Sequence, residues 1–429
     1  MRWFDASEAA FEADFAAFLA EPRGSGPDVD ALVAGVIEAV RRDGMAAVLR
    51  ATLDFDGVQL AEGSARLSQG EIEAGAAQCA GDVREAIAFA AGRIADYHRR
   101  QRPADERFTD AAGIQLGWRW QPLASVGIYV PGGRAAYPST VLMNAVPARV
   151  AGDERIAMVS PPGRLEPAVL AAAKEAGVTE IWRIGGAQAI AALALGAPPL
   201  AKVDKIVGPG NAYVTAAKRR LYGTVGIDSL AGPSEIVVVA DAANDPAWIA
   251  ADLLSQAEHD PDAQSILVTD DAAFARSVIL ALEAQLAGLS TRETAAAAWA
   301  DHGAVVIVGS LDLAPGIVNL IAPEHVEFAS EDPERLANGV RHAGAIFLGR
   351  YAPEALGDYT AGSNHVLPTS GAARFSSGLS LLDFLKRTSI VKSGAEGFEA
   401  LAGPTVALAL AEGLPAHARS VEIRRNRGP

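Results

Sequence analysis

The stretch 155-RIAMVSPPGRLEPAVLAAAKEAGVTEIWRIGGAQAIAALALG-196 decides the fold. RIAMVS (155–160) and EIWRIGG (180–186) are short apolar runs with β-branched and aromatic residues, of strand length. AVLAAAKEAG (168–177) and AQAIAALALG (187–196) are alanine-rich helix formers, each ended by a glycine. Strand, helix, strand, helix in that order signals a parallel α/β unit. Working outward, SVGIYV (125–130) precedes this unit and DKIVGPG (204–210) follows it. A second series has the same texture: SEIVVVAD (234–241), SILVTDD (265–271), AVVIVG (304–309), HVEFAS (325–330) and GAIFLG (344–349). Two successive α/β units fit better than one large sheet, and no short-period repeat is visible.

Outside this region the texture is helical. Ala31, Leu32, Val36, Ile37 and Val40 fall near helical spacing, as do Val83, Ile87, Ala90, Ile94 and Tyr97. The polar stretch RQRPADERFTDAAG (100–113) closes that part. Beyond Ser380 the chain reverts to helical pattern, with one helix expected to end near Gly413–Pro415.

The chain has 429 residues, too many for one ordinary core, and a formal net charge of −15. So acidic a chain lacks the basic footprint of a nucleic-acid binder. A single cysteine, Cys79, excludes an intrachain disulfide and a thiolate metal cluster. No signal peptide is legible at the start. The uncharged run 184–201 carries too many glycines and prolines for a membrane span, so a cytoplasmic enzyme is the expectation. The run Gly208-Pro209-Gly210-Asn211 lacks the third glycine of a dinucleotide fingerprint, so any nicotinamide site is of a nonstandard kind.

Chemistry concentrates in polar clusters late in the chain. In SQAEHDP (255–261), a helix capped by Asp245-Pro246 should place Gln256 and His259 on one face at its last turn. They could hold a metal or simply form a polar helix end. In APEH (322–325), Glu324 and His325 follow a proline and face opposite ways if extended, so they could serve different steps of one reaction or be ordinary surface groups. GDYTAGSNHVLP (357–368) holds Asp358 and His365, of the type zinc accepts, in what could also be a solvent loop. Glu412 and His417 lie in the tail.

VGIYVPGG (126–133), STVLMNAVPA (139–148), RIGGAQAI (183–190), VDKIVGPGNAYV (203–214), AGPSEIVVVA (231–240), DLLSQAEHDPDAQ (252–264), APEH, NHVLPT (364–369) and AEGLPAH (411–417) occur in one order. In that order the chain resembles the histidinol dehydrogenases over roughly residues 25–422. The resemblance implies one zinc per subunit on Gln256, His259, Asp358 and His417, the last given by the partner of a homodimer with shared active sites. It implies substrate contacts from Ser234, His325, His365 and Glu412 besides the zinc ligands, and NAD contacts from Tyr129, Gln188 and Asn211. The implied reaction oxidises L-histidinol to L-histidine through a bound aldehyde with two NAD, His325 acting as base and Glu324 activating water. Cys79, in GAAQCAGDVREAI, reads as a structural thiol, so the second oxidation should pass through a hydrate and not a thioester.

The loop departs from the family pattern in reading AGSNH where many members have SGTNH, with asparagine and histidine kept. Rival readings are a relative acting on another polar alcohol such as a sulfonated diol, a zinc hydrolase, and a silent scaffold. His365 and Glu412 argue against the first, and intact Glu324, His325 and ligand positions against the last. The expected architecture is α/β. It comprises an arm (1–24), one Rossmann-like parallel-sheet domain (25–128 plus 236–375) with most zinc and catalytic residues, and a second (129–235) with the NAD contacts. Both domains are incomplete, and a small helical C-terminal domain (376–429) is swapped onto the partner.

Overall fold

The computed structural model describes residues 1–23, 28–132 and 137–425. The expected arm boundary at 24–25 and Gly133 of VGIYVPGG fall outside them. The strands in chain order begin with β1 (Arg2–Asp5), β2 (Glu106–Thr109), β3 (Gln115–Pro122), β4 (Ser125–Tyr129) and β5 (Arg155–Val159). Next come β6 (Glu180–Trp182), β7 (Lys205–Val207), β8 (Gly226–Ile227), β9 (Glu235–Ala240) and β10 (Gln264–Thr269). The last are β11 (Ala304–Ile307), β12 (His325–Ala329), β13 (Ala345–Leu348) and β14 (Leu385–Lys392).

Each run of the two α/β series forms a strand, and the series build two parallel sheets of orders β6-β5-β4-β7-β8 and β1-β11-β10-β9-β12-β13. Both follow one rule. The first strand of the series sits centrally, the next two extend to one side, and the last two cross to the other. This is the arrangement of a Rossmann half, with its switch point between β4 and β7 in one sheet and between β9 and β12 in the other. Strands β9, β10 and β12 are buried along their whole length. Helices on both faces explain why their sequences read as continuous apolar runs and do not alternate.

The alanine-rich helices pack closely against their sheet. Ala187 and Ala189–Ala194 of helix Gly186–Leu195 join Val159 of β5 and Ile206 of β7 in one buried cluster. The N-terminal arm is more than helix. Its residues Arg2–Asp5 add β1 parallel to β11 as the sixth strand. Phe4 packs edge-on against Phe15, ring centroids 5.2 Å apart, which fastens the arm's helix Phe11–Leu19 to that strand.

The chain divides into two compact units, residues 1–101 with 123–384, and residues 102–122 with 385–429. Both parallel sheets belong to the first. The second carries the expected C-terminal helices, Ala395–Ala411 and Pro415–Arg425, and adds an antiparallel sheet β14-β3-β2. There β14 pairs with β3 from Leu385↔Pro122 to Lys392↔Gln115, a long-range pairing that local helical pattern does not reveal. Among the described residues no helix is long and apolar enough to cross a membrane.

Candidate active site

The amino-terminal edge of the six-stranded sheet carries the densest ionisable cluster. Helix Ala314–Ile321 ends at Ala322, whose φ of 55° is left-handed for a residue with a Cβ and immediately precedes Pro323. That turn sets Glu324 and His325 beside the start of β9, with His325 opposite Ile236. Glu235 N–H donates to Glu324 Oε2 at 3.0 Å, and Glu324 N–H donates back to Glu235 Oε2 at 3.3 Å. His325 Nδ1 lies 3.0 Å from the Glu235 carbonyl oxygen. A carbonyl can only accept, so the proton is on Nδ1 and the Nε2 lone pair is free. His325 is 3% exposed and its Nε2 has no hydrogen-bond partner among the described residues.

Helix Glu354–Tyr359 brings two carboxylates to that nitrogen. Glu354 and Asp358 are four apart and share a face, with Glu354 Oε1 and Asp358 Oδ1 each 3.8 Å from His325 Nε2. Donor atoms of His325, Glu354 and Asp358 lie within 4.8 Å of one another, a grouping able to hold a cation. Ser255 Oγ donates to Glu354 Oε2 at 3.0 Å. Gln256 is 1% exposed, and both its amide oxygen and nitrogen lack a partner among the described residues, as does Glu354 Oε1. Buried lone pairs left open in this way suit a metal and are costly without one.

Counting protein groups alone, burial pushes Glu324 well above the usual carboxylate range, with the charges of Glu235, Asp358 and Glu354 adding to it. Burial likewise pushes Asp358 well up, beside the Glu354 charge. For Glu354 burial raises the pKa, but His325, Asp358, Gln256 and Ser255 together outweigh it and hold the group below its ordinary value. Burial holds His325 below the usual imidazole value, against the upward pull of Glu354. Burial thus favours the neutral imidazole, the form a general base needs.

As the sequence suggests, Asp245 caps helix Pro246–Ala257, accepting from Ala247 N–H at 2.8 Å, worth about 1 kcal/mol. Gln256 is in the last turn, whereas His259 lies two residues past the helix end and is exposed, its Nδ1 3.5 Å from Ser234 Oγ. His365 is half-buried and its Nδ1–H donates to the Asp358 carbonyl at 3.1 Å; desolvation lowers its pKa to about 4. Asn364 secures that loop by donating to the Met143 carbonyl at 2.6 Å. Glu412 ends the first helix of the second unit, and His417 is an exposed residue of its last helix. Glu354 and Glu235 are the members that sequence reading missed. Spacing from Asp358 could have flagged Glu354, but Glu235 sits inside an apolar strand and carries no local signal.

The proposed cofactor residues lie at the carboxyl edge of the five-stranded sheet, around its switch point. Tyr129 ends β4, is 3% exposed, and accepts from Gly186 N–H at 3.1 Å. Burial pushes its hydroxyl up to about 12. Gln188 is buried in the first turn of helix Gly186–Leu195, with Nε2 unpartnered among the described residues. Asn211 caps helix Ala212–Leu221, accepting from Tyr213 N–H at 3.1 Å and Val214 N–H at 3.2 Å. After β7 comes Gly208, with φ 111°; a Cβ there would lie 2.3 Å from the Tyr129 carbonyl oxygen. Buried Lys218 and Asp228 pair and clamp both ends of this glycine. Lys218 Nζ donates to the Gly208 carbonyl at 3.0 Å, and Gly208 N–H donates to Asp228 Oδ2 at 2.8 Å. Cys79 is free and buried between helices Gln69–Ala77 and Gly81–Arg99.

Two Rossmann halves, one carrying a buried base among carboxylates and the other a glycine turn at its switch point, define a dehydrogenase-type α/β enzyme. A family model described as histidinol dehydrogenase matches residues 20–425. A histidinol dehydrogenase of Caulobacter vibrioides is 69% identical over 424 residues, covering 99% of both chains. One from Rhodospirillum rubrum is 57% identical, covering 99% of this chain and 98% of its own. The crystal structure of histidinol dehydrogenase from Elizabethkingia anophelis superposes with a TM-score of 0.93 at 35% identity, covering 99% of this chain and 98% of that one. The chain belongs to the histidinol dehydrogenase family. An aldehyde dehydrogenase from Physcomitrella patens, with TM-score 0.50 at 11% identity, shares the general fold alone.

Proposed function

We propose that this chain oxidises L-histidinol to L-histidine in two successive hydride transfers to NAD, with the aldehyde kept bound between them. The observation that carries the reading is the His325 imidazole: its proton is committed to Glu235 and its free Nε2 is aimed into a buried acidic pocket. His325 takes the alcohol proton at Nε2 while hydride leaves the carbinol carbon. Glu324, adjacent in sequence, then takes a proton from water as it adds to the aldehyde, and His325 returns its proton to the former carbonyl oxygen, which completes the hydrate and frees Nε2 again. His325 takes the hydrate's proton as the second hydride leaves. A carboxyl raised by burial is basic enough for the water step. Enclosure of the site protects the aldehyde from solvent.

Gln256, His259 and Asp358, with His417 of a second subunit, would hold the zinc, and Tyr129, Gln188 and Asn211 the NAD. When bound, zinc supplies a fixed charge that orients substrate nitrogens, and NAD supplies the hydride acceptor. Ser234, His365 and Glu412 complete the substrate contacts. Exposed Leu401, Leu408, Leu410 and Leu414 on the second unit support a homodimer with shared sites. The grouping of His325, Glu354 and Asp358 favours a second reading in which these three hold the metal. Zinc content decides: His259→Asn empties the site in the first reading, and Glu354→Gln empties it in the second.

The reading is tested by NADH formation from L-histidinol before and after chelation. Two NADH per histidinol, lost with chelator and restored by zinc, is the expected result. A folded, zinc-loaded protein that makes no NADH from histidinol overturns it.

A further inference from the structure

Both residues assigned to proton transfer hang on Glu235. Its amide holds the Glu324 carboxylate, its carboxylate holds the Glu324 amide, and its carbonyl orients the His325 ring. Glu235 is 2% exposed, and a carboxylate there needs a buried counter-charge. That charge comes from the far end of the arm. Arg23 Nη2 donates to Glu235 Oε1 in an ion pair whose side chains are 12% and 3% exposed. The same Oε1 accepts from Ser370 N–H at 3.1 Å. Ser370 takes a left-handed φ of 54°, unusual for a serine, and so turns its amide to the carboxylate. Three segments far apart in sequence thus converge on one side chain that has no place of its own in the proton transfers.

We propose that Arg23 and Glu235 are a positioning pair for the reaction: the arm's guanidinium holds the Glu235 carboxylate in place, and Glu235 holds Glu324 and His325. The proposal rests on the reading that Glu324 and His325 act on the substrate. Neither Arg23 nor Glu235 is assigned to substrate, metal or cofactor. Loss of the guanidinium leaves a buried carboxylate unpaired, which must protonate or rotate toward water. Either event releases the Glu324 amide and loosens the base by a fraction of an ångström. Displacements of that size slow catalysis without weakening binding in proportion.

The test compares Arg23→Met, Arg23→Lys and Glu235→Gln in the zinc-loaded, full-length protein. Histidinol and histidinaldehyde oxidation are each followed by NADH formation. For Arg23→Met and Glu235→Gln, kcat falls on the order of tenfold to a hundredfold in both oxidations while KM stays near that of the parent. Arg23→Lys, which keeps the charge, recovers most of the loss; a disturbance of folding alone would give neither the split nor the rescue. Parent-like kcat in Glu235→Gln, or a fall matched by an equal rise in KM, overturns the proposal. Amide exchange at Glu235 and Glu324 gives a readout that needs no substrate. Faster exchange in Arg23→Met supports the pair and an unchanged rate overturns it, so a parent that proved inactive on histidinol would sink the functional reading separately. Should Arg23→Met fail to fold, Glu235→Gln and Arg23→Lys carry the same decision.

Discussion

The two parallel sheets of the first unit share one order over five strands and gather polar groups at opposite edges. In the five-stranded sheet the proposed cofactor groups gather where the strands end, at Tyr129 and Gly208, the usual ligand position of an open α/β sheet. Its amino edge is closed by Ser125, whose N–H and Oγ both donate to Asp204 Oδ2 at 3.0 Å. In the six-stranded sheet the usual position is filled from within. Arg350 Nη2 donates to both Asp241 oxygens at 2.7 Å, and Asn244 Nδ2 donates to the Ala329 carbonyl at 2.6 Å. Its densest buried ionisable cluster lies at the amino edge instead, around Glu324 and His325. Topology therefore marks where a ligand can bind, and side chains decide which edge stays open for one.

The largest effect should come from the amino edge. His325→Asn is expected to lower kcat on the order of a thousandfold while the dissociation constant for NAD, read by fluorescence titration, holds. Glu324→Gln should still deliver the first hydride in a rapid burst and then stall. A steady second NADH from that variant would break the division of labour between the two residues.

The same edge should govern acid stability. His365 titrates near 4 in the folded chain against an ordinary 6.5, so the unfolded chain binds the extra proton between those values. Stability from this group is full above pH 6.5 and is lost as pH falls toward 4, about 3 kcal/mol in all. Urea midpoints at pH 6.5 and 4.5 should therefore drop less for His365→Asn than for the parent. Equal drops would place the acid sensitivity elsewhere.

Smaller changes sharpen the contrast from the other side. Gly208→Ala puts a methyl against the Tyr129 carbonyl at a left-handed backbone position, and should raise the NAD dissociation constant about tenfold while kcat at saturating NAD is kept. Arg350→Met at the closed carboxyl edge should cost about 1 to 2 kcal/mol of stability, read as a lower melting temperature, and leave turnover unchanged. Activity lost there would mean that this edge is not merely closed.

Much of this was legible in the linear chain, and for a local reason. Strands buried on both faces must be apolar throughout, so SEIVVVAD and HVEFAS declare themselves, and Asp245-Pro246 announces its helix by cap chemistry alone. Gln256, Asp358 and His365 stood out because polar groups cluster around them. Glu354 and Glu235 did not, since each gains its meaning from a partner some 30 to 90 residues away. The strands β1, β2 and β14 were hidden for a similar reason: short, mostly exposed segments become strands only when β11 or β3 offers a hydrogen-bonding edge.

By itself the sequence determined the alternation that makes two parallel α/β halves, the family the chain belongs to, and the residue types available for chemistry. These are carried by periodicity and by short motifs, which survive without knowledge of contacts. The tertiary structure alone decided which edge of each sheet gathers polar groups, which nitrogen of His325 is free, and that Arg23 of the arm pairs with Glu235. Those depend on hydrogen bonds and buried charges between segments distant in the chain, and such pairings exist only once the chain has closed around them.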